Sequence, residues 1–202
     1  MKIAILGAGN VGATLGKRFA EVGHEVFYGV RNPSEFDGKD LRGKVGTVGE
    51  VAKQGEIILL AVPFGALESA LSECGDLTDK IIIDATNPLE FKDGGLHLTM
   101  GFDTSGGEKV AEIAKGNKVV KCFNQTGFSN MAKPENSAMF VCGNDPEANE
   151  TVRTLAQEIG FEAINIGDLS KSRLLEPLAA LWIHLAFSTD LKRDFAFSIV
   201  RK

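Results

Sequence analysis

The 202-residue chain is 44% hydrophobic and 24% charged, an ordinary globular mix with room for one substantial domain. Its formal net charge of −5, with no run rich in lysine or arginine, argues against a nucleic-acid partner. Cys74, Cys122 and Cys142 are scattered, as are His24, His97 and His184, so no zinc spacing and no disulfide framework emerge and a cytoplasmic location is expected.

The first apolar run, Ile3 to Leu6, is too short for a signal peptide. It reads as a strand, and "NVGATLGKRFAEVG" as a helix ending at Gly23. "HEVFYGV" is the second strand. Residues 32–46 are polar and glycine-rich and read as loop. "TVGEVAKQG" is a short helix, with Thr47 as its cap and Glu50 three residues on. "EIILLAVP" is a buried strand stopped by Pro63, "GALESALSEC" a helix, and "KIIIDATNP" a strand stopped by Pro88.

Residues 90–106 read as a long loop. "GEKVAEIAKG" is helical and "KVVKCFN" a strand; another loop follows. "SAMFVCG" is a strand, and "DPEANETVRTLAQEIG" a helix capped by Asp145 with Pro146 at its first position. "FEAINIG" is a strand, "SKSRLLEPLAALWIHLAF" a helix with a break at Pro177, and "RDFAFSIV" alternates like a last strand. The tract "LLEPLAALWIHLAF" holds Glu176, Pro177 and His184, and is too short and interrupted to span a bilayer.

Near-continuously apolar strands alternating with helices predict an α/β fold, a doubly wound and mostly parallel Rossmann-type sheet. A single domain over 1–202 is expected, with a dinucleotide-binding core in 1–125 and a strand-and-helix extension in 126–202. Ligands on such sheets bind beyond the carboxyl ends of the strands.

Gly7, Gly9 and Gly12 stand between the first strand and the first helix in G-x-G-x-x-G spacing. The first permits the tight turn, the second a close approach to a pyrophosphate, and the third close helix packing. After the second strand, where an acid would bind the ribose hydroxyls of NAD, stands Arg31. A guanidinium suits a 2′-phosphate or stacks on adenine, so the expected cofactor is NADP(H). Val62, Pro63 and Phe64 end the third apolar strand, where their backbone lines the cofactor path. Asn87 is placed to meet the nicotinamide ribose or carboxamide, with Pro88 stiffening its loop, and Asn124 and Gln125 offer amides to the carboxamide. No nucleophile elbow, paired carboxylates or His–acid motif is visible. His184 reads as a core or interface residue and Cys122 as buried and inert.

The series "GAGNVG", "GVRNP", "AVPF", "DATNP", "KVVKCFN", "VCGNDPEA" and "LEPLAALWI" spans nearly the whole chain. Together these motifs resemble the NADP oxidoreductases that use the deazaflavin coenzyme F420, and also the reductase domain of six-transmembrane metalloreductases. The resemblance implies NADPH along the sheet edge, on Ala8, Gly9, Asn10, Val11, Val30, Arg31, Val62, Pro63, Asn87 and around Asn124–Gln125. It implies a deazaflavin or flavin ring stacked on the nicotinamide, with Leu178 or Trp182 against it, and a homodimer. Val30 replaces the serine that relatives often carry before the arginine, which leaves 2′-phosphate recognition to Arg31. With no membrane region after residue 202, a membrane metalloreductase is not expected. Two alternatives are a small-hydroxyacid dehydrogenase and a non-enzymatic NADPH sensor; the stretch after Gln125 is too short for the large helical second domain of the first.

Overall fold

The computed structural model describes residues 1–202. In chain order its elements are β1 (Lys2–Leu6), α1 (Asn10–Glu21), β2 (Glu25–Gly29), β3 (Lys44–Gly46), α2 (Val48–Gln54), β4 (Ile57–Leu60), α3 (Leu67–Glu73) and β5 (Ile81–Asp84). There follow β6 (Leu89–Lys92), β7 (Gly95–Leu98), α4 (Gly106–Ile113), β8 (Lys118–Lys121), α5 (Phe128–Ala132), β9 (Ala138–Gly143), α6 (Pro146–Glu158), β10 (Glu162–Asn165) and α7 (Ser172–Ser188).

One eight-stranded sheet runs through the molecule in the order β10-β9-β8-β5-β4-β1-β2-β3. From β3 to β8 every pair is parallel. β9 runs antiparallel to β8, and β10 runs parallel to β9. This is the mostly parallel Rossmann-type sheet read from the sequence, with the order reversing at β1 and β4. No helix is long and apolar enough to cross a membrane.

The strands are apolar on consecutive residues because both faces are covered. Ile3 and Ile5 join one buried cluster with Leu15, Phe19 and Tyr28, while Ala4 and Leu6 join the opposite cluster with Val51, Ile58 and Leu60. α1 buries Gly12, Leu15, Gly16 and Phe19, one face at helical spacing. α2 has the complete capping box: Thr47 accepts from the Glu50 N–H, and Glu50 accepts from the Thr47 N–H.

Several expectations need correction. Residues 32–46 are not all loop, since Pro33–Phe36 forms a 3-10 turn and β3 extends the sheet edge beside β2. Residues 90–106 contain most of the β6–β7 hairpin, whose turn at Asp93 and Gly94 has positive φ at both residues. α7 is unbroken at Pro177, which lies on the exposed side of the helix where water can take the carbonyl that proline frees. The tail "RDFAFSIV" forms no strand. Its alternation serves packing: Phe195 stacks on Trp182, with centroids 5.3 Å apart, and only Phe197 reaches the sheet, accepting from the Ala138 N–H.

Candidate functional site

A cleft of about 550 Å³ opens at the carboxyl ends of β1, β2 and β4. β1 delivers Gly7 in a conformation with φ +100°, open to glycine but strained for other residues. A Cβ at Gly7 would stand 2.5 Å from the Ala61 carbonyl oxygen, and one at Gly12 only 2.0 Å from that of Gly7. Gly9 differs, because a Cβ there would meet nothing within 4 Å. Packing therefore explains Gly7 and Gly12, whereas the bare backbone at Gly9 faces open space.

The start of α1 shares one electrostatic feature with α5 and α7. Gly9 caps it without a side-chain hydrogen bond, and its first turn carries no acid. By contrast α2, α3, α4 and α6 begin with Glu50, Glu68, Glu108 and Glu147 respectively. Those acids offset the helix dipole, so α1 keeps its positive end and its free N–H groups for an anion. Ala8 is half-buried in the cleft, while Gly9 and Asn10 are exposed and Val11 packs on the core.

At the far side of the cleft β2 is followed by buried Val30 and exposed Arg31. Arg31 lines the cleft with Val62, Pro63 and Ala8. Glu35, Ser69 and Glu73 line it as well, and the sequence reading did not include them. Asn32 donates to Glu35 at 2.8 Å, and Ser69 to Glu73 at 3.0 Å. Lys39 lies over the Phe36 ring, 4.0 Å from its centroid, and Arg42 is 3.8 Å from Glu21, so both already have partners.

The ends of β5 and β8 bring Asn87 and Asn124 together. Asn87 donates to the Asn124 carbonyl at 2.9 Å, and the Asn124 amide donates to Asn87 Oδ1 at 3.0 Å. Asn87 remains half-buried and Pro88 is buried. Gln125 is 3% exposed and turned inward. Its Oε1 accepts from the Phe140 N–H, and its Nε2 donates to the Phe140 carbonyl and to Asn124.

Beneath this pair lies a cluster that sequence reasoning missed. Lys121 is completely buried between Asp84 and Glu176, at 2.9 and 2.7 Å. Burial pulls the Lys121 ammonium pKa down, but Asp84 and Glu176 outweigh it and leave the group above its ordinary value, hence charged. Two carboxylates therefore do meet in this fold, but around a cation rather than in an acid–base dyad. The available signal was a lysine ending an apolar strand and a lone glutamate in an apolar helix.

A second hollow, about 630 Å³, is lined by Leu98, Thr99, Met100, Gly101, Phe102, Arg173, Leu174 and Pro177. Arg173 is held there by Glu108 at 2.6 Å. Hydrogen bonding to Arg173 is the chief cause that holds the Glu108 carboxyl below its ordinary value. Of the residues expected against a second ring, Leu178 is half-buried, whereas Trp182 is packed inward. A Cβ at Gly127 would stand 2.4 Å from the Trp182 ring. His184 is exposed on α7 rather than in the core. Cys122 is fully buried, and burial drives its thiol well above the usual range.

The sequence and the fold are similar to those of known proteins. The family model described as NADP oxidoreductase, coenzyme F420-dependent, matches residues 2–88. The F420-dependent NADP reductase of Methanocaldococcus jannaschii is 30% identical over 206 residues, 92% of each chain. Metalloreductase STEAP3 of Rattus norvegicus is 30% identical over 88% of this chain, which spans only 36% of that protein. Among solved structures, a protein of Arthrobacter sp. FB24 provisionally assigned as an F420-dependent NADP-reductase superposes with a TM-score of 0.89. It is 32% identical, with both chains covered in full.

Proposed function

The chain belongs to the coenzyme F420-dependent NADP oxidoreductase family, and from that premise we propose that it catalyses hydride transfer between NADPH and a deazaflavin. One observation carries the reading. Gly7 and Ala8, which lead directly into the acid-free, uncapped start of α1 at Gly9, line the same cleft as Arg31, a cation with no hydrogen bond or ion pair to the protein. A pyrophosphate and a 2′-phosphate need such a pair of features.

The bound cofactor supplies a hydride from nicotinamide C4 to the central ring of the acceptor. The protein binds and orients. The backbone at Ala8, Gly9, Asn10 and Val11 receives the pyrophosphate, Gly7 and Gly12 supply the tight turn and close packing that present it, and Arg31 after Val30 takes the 2′-phosphate. Val62 and Pro63 wall the path between the two ends. Asn87, fixed by Asn124 and Pro88, meets the nicotinamide half, and Gln125 holds Asn124 from behind. Leu174 and Pro177 on α7 flank the hollow for the acceptor ring. Positioning supplies the acceleration, so no general acid or base is required. A flavin is the second acceptor to be tried. Leu174 and Leu181, 64% and 48% exposed and seven residues apart on α7, support a homodimer through that helix. A cytoplasmic site of action fits three free cysteines.

The test follows NADPH absorbance with deazaflavin, FMN and riboflavin. Deuterium from labelled NADPH should stay in reduced deazaflavin, where the receiving atom is carbon. From a flavin nitrogen it would exchange into water. Turnover with flavins alone would replace the deazaflavin. Tight NADPH binding with no turnover would overturn the enzymatic reading.

A further inference from the structure

The buried Asp84–Lys121–Glu176 cluster touches neither the cleft nor the hollow, yet it is fully saturated. The Lys121 ammonium donates to Asp84 Oδ2, to Glu176 Oε1 and to the Thr86 carbonyl, the last at 2.8 Å. Those three bonds use all its donors. Asp84 Oδ1 accepts from the Thr86 N–H at 2.9 Å and the Thr86 hydroxyl at 2.7 Å. Glu176 accepts from the N–H groups of Gly106 and Gly107, both at 3.0 Å, at the start of α4. Two carboxylates against one ammonium leave a net negative charge, and the positive end of α4 offsets it.

Well-packed apolar side chains in place of such buried charges often stabilise a protein equally or better. Stability alone is a weak account of the cluster. What it grips is more informative. Thr86 precedes Asn87. Leu175, next to Glu176, accepts from Asn124 Nδ2 at 3.3 Å. Pro177, on the other side of Glu176, lines the second hollow. Three acceptors around one ammonium impose distances that slipping apolar contacts do not.

We propose that Lys121, with Asp84 and Glu176, is a positioning cluster that locks the Asn87–Asn124 pair to the first turns of α7, so that the nicotinamide and the acceptor ring are presented face to face. The inference rests on the function proposed above, with the nicotinamide at Asn87.

The neutral triple variant Asp84→Asn, Lys121→Met, Glu176→Gln removes every charge together and leaves none unpaired. Three readouts are compared with wild type: the fluorescence change of NADPH on binding, affinity for adenosine 2′,5′-bisphosphate, and turnover at saturating NADPH. The bisphosphate carries the adenine half alone. Its Kd should stay within about twofold, while the nicotinamide fluorescence change is lost and turnover falls about 10- to 100-fold, the scale of small misplacements of reacting groups. A triple variant with wild-type fluorescence and turnover overturns the proposal. So does a loss of bisphosphate affinity parallel to the loss of turnover, because that marks a general scaffold. Should the triple variant fail to fold, Glu176→Gln, which keeps the Lys121–Asp84 pair, is read by the same measurements. If wild type reduces no deazaflavin, the functional reading fails, and fluorescence against bisphosphate affinity still decides the role of the cluster.

Discussion

Arg31→Ala isolates the cofactor preference because Arg31 does no other visible work. It is exposed and has no ion pair or hydrogen bond within the protein. Its loss should leave folding stability within about 0.5 kcal/mol, the range of ordinary surface changes. A hydrogen bond to a charged group is worth about 1.5–3 kcal/mol. Solvent screening at an exposed site favours the lower part, about 1.5–2 kcal/mol. At 1.4 kcal/mol per tenfold, NADPH Kd should rise roughly 10- to 30-fold. NADH lacks the 2′-phosphate and should be nearly unaffected. Glu35 supplies an internal control, since its carboxylate lines the same cleft with one oxygen held by Asn32. Glu35→Gln should tighten NADPH by less than about 1 kcal/mol, a screened repulsion. Fluorescence titration of both variants with both cofactors, at fixed ionic strength, measures these effects. Equal losses for NADPH and NADH in Arg31→Ala would refute the 2′-phosphate assignment.

The glycines separate packing from binding: Gly12→Ala should destabilise the fold by about 1–3 kcal/mol through overpacking, whereas Gly9→Ala should leave the melting temperature unchanged and weaken NADPH. Matching effects in the two variants would show that the open space at Gly9 is not the pyrophosphate site. His184→Ala should keep turnover within roughly tenfold, short of the 10²-fold or greater loss expected of a general acid or base. Tyr28 is buried with no partner for its hydroxyl, and burial raises its pKa to about 12. Its folded value lies above the unfolded one, so its contribution is full below about pH 10 and is lost as pH rises through the folded value. Tyr28→Phe should therefore flatten the alkaline fall in urea midpoint above pH 10; an unchanged slope would reject that assignment.

How much of this was legible in the sequence depended on the distance over which each signal acts. The turn at Gly7, the arginine after β2 and the Thr47–Glu50 capping box are local, and a few adjacent letters specify them. β3 was missed because three residues of a polar stretch become a strand only by pairing with β2. The β6–β7 hairpin was missed because most of its side chains are exposed, so its apolar pattern does not reveal a buried face. The tail was misread for the converse reason: Phe195 and Phe197 alternate like a strand but pack with Trp182 and each other. Inward-turned Gln125 shows that an amide after a strand can serve the next strand as readily as a ligand.

The Lys121 cluster was the hardest to read, since its members are 37 and 55 residues apart and no motif joins them. The clue is energetic. A charge stranded in an apolar run cannot be buried alone, because desolvating it without a partner costs several kcal/mol or forces it neutral. Asp84 ends "IIID", Lys121 ends "KVVK", and Glu176 interrupts "LLEPLAAL". Two of these end neighbouring parallel strands, and β5 lies beside β8 with Asp84 in register with Lys121. Once the sheet order is known, those charges must face the same end of the sheet. The remaining acid on an apolar helix then has one natural place to go, and its arrival docks the first turns of α7 against Lys121 and Asn124.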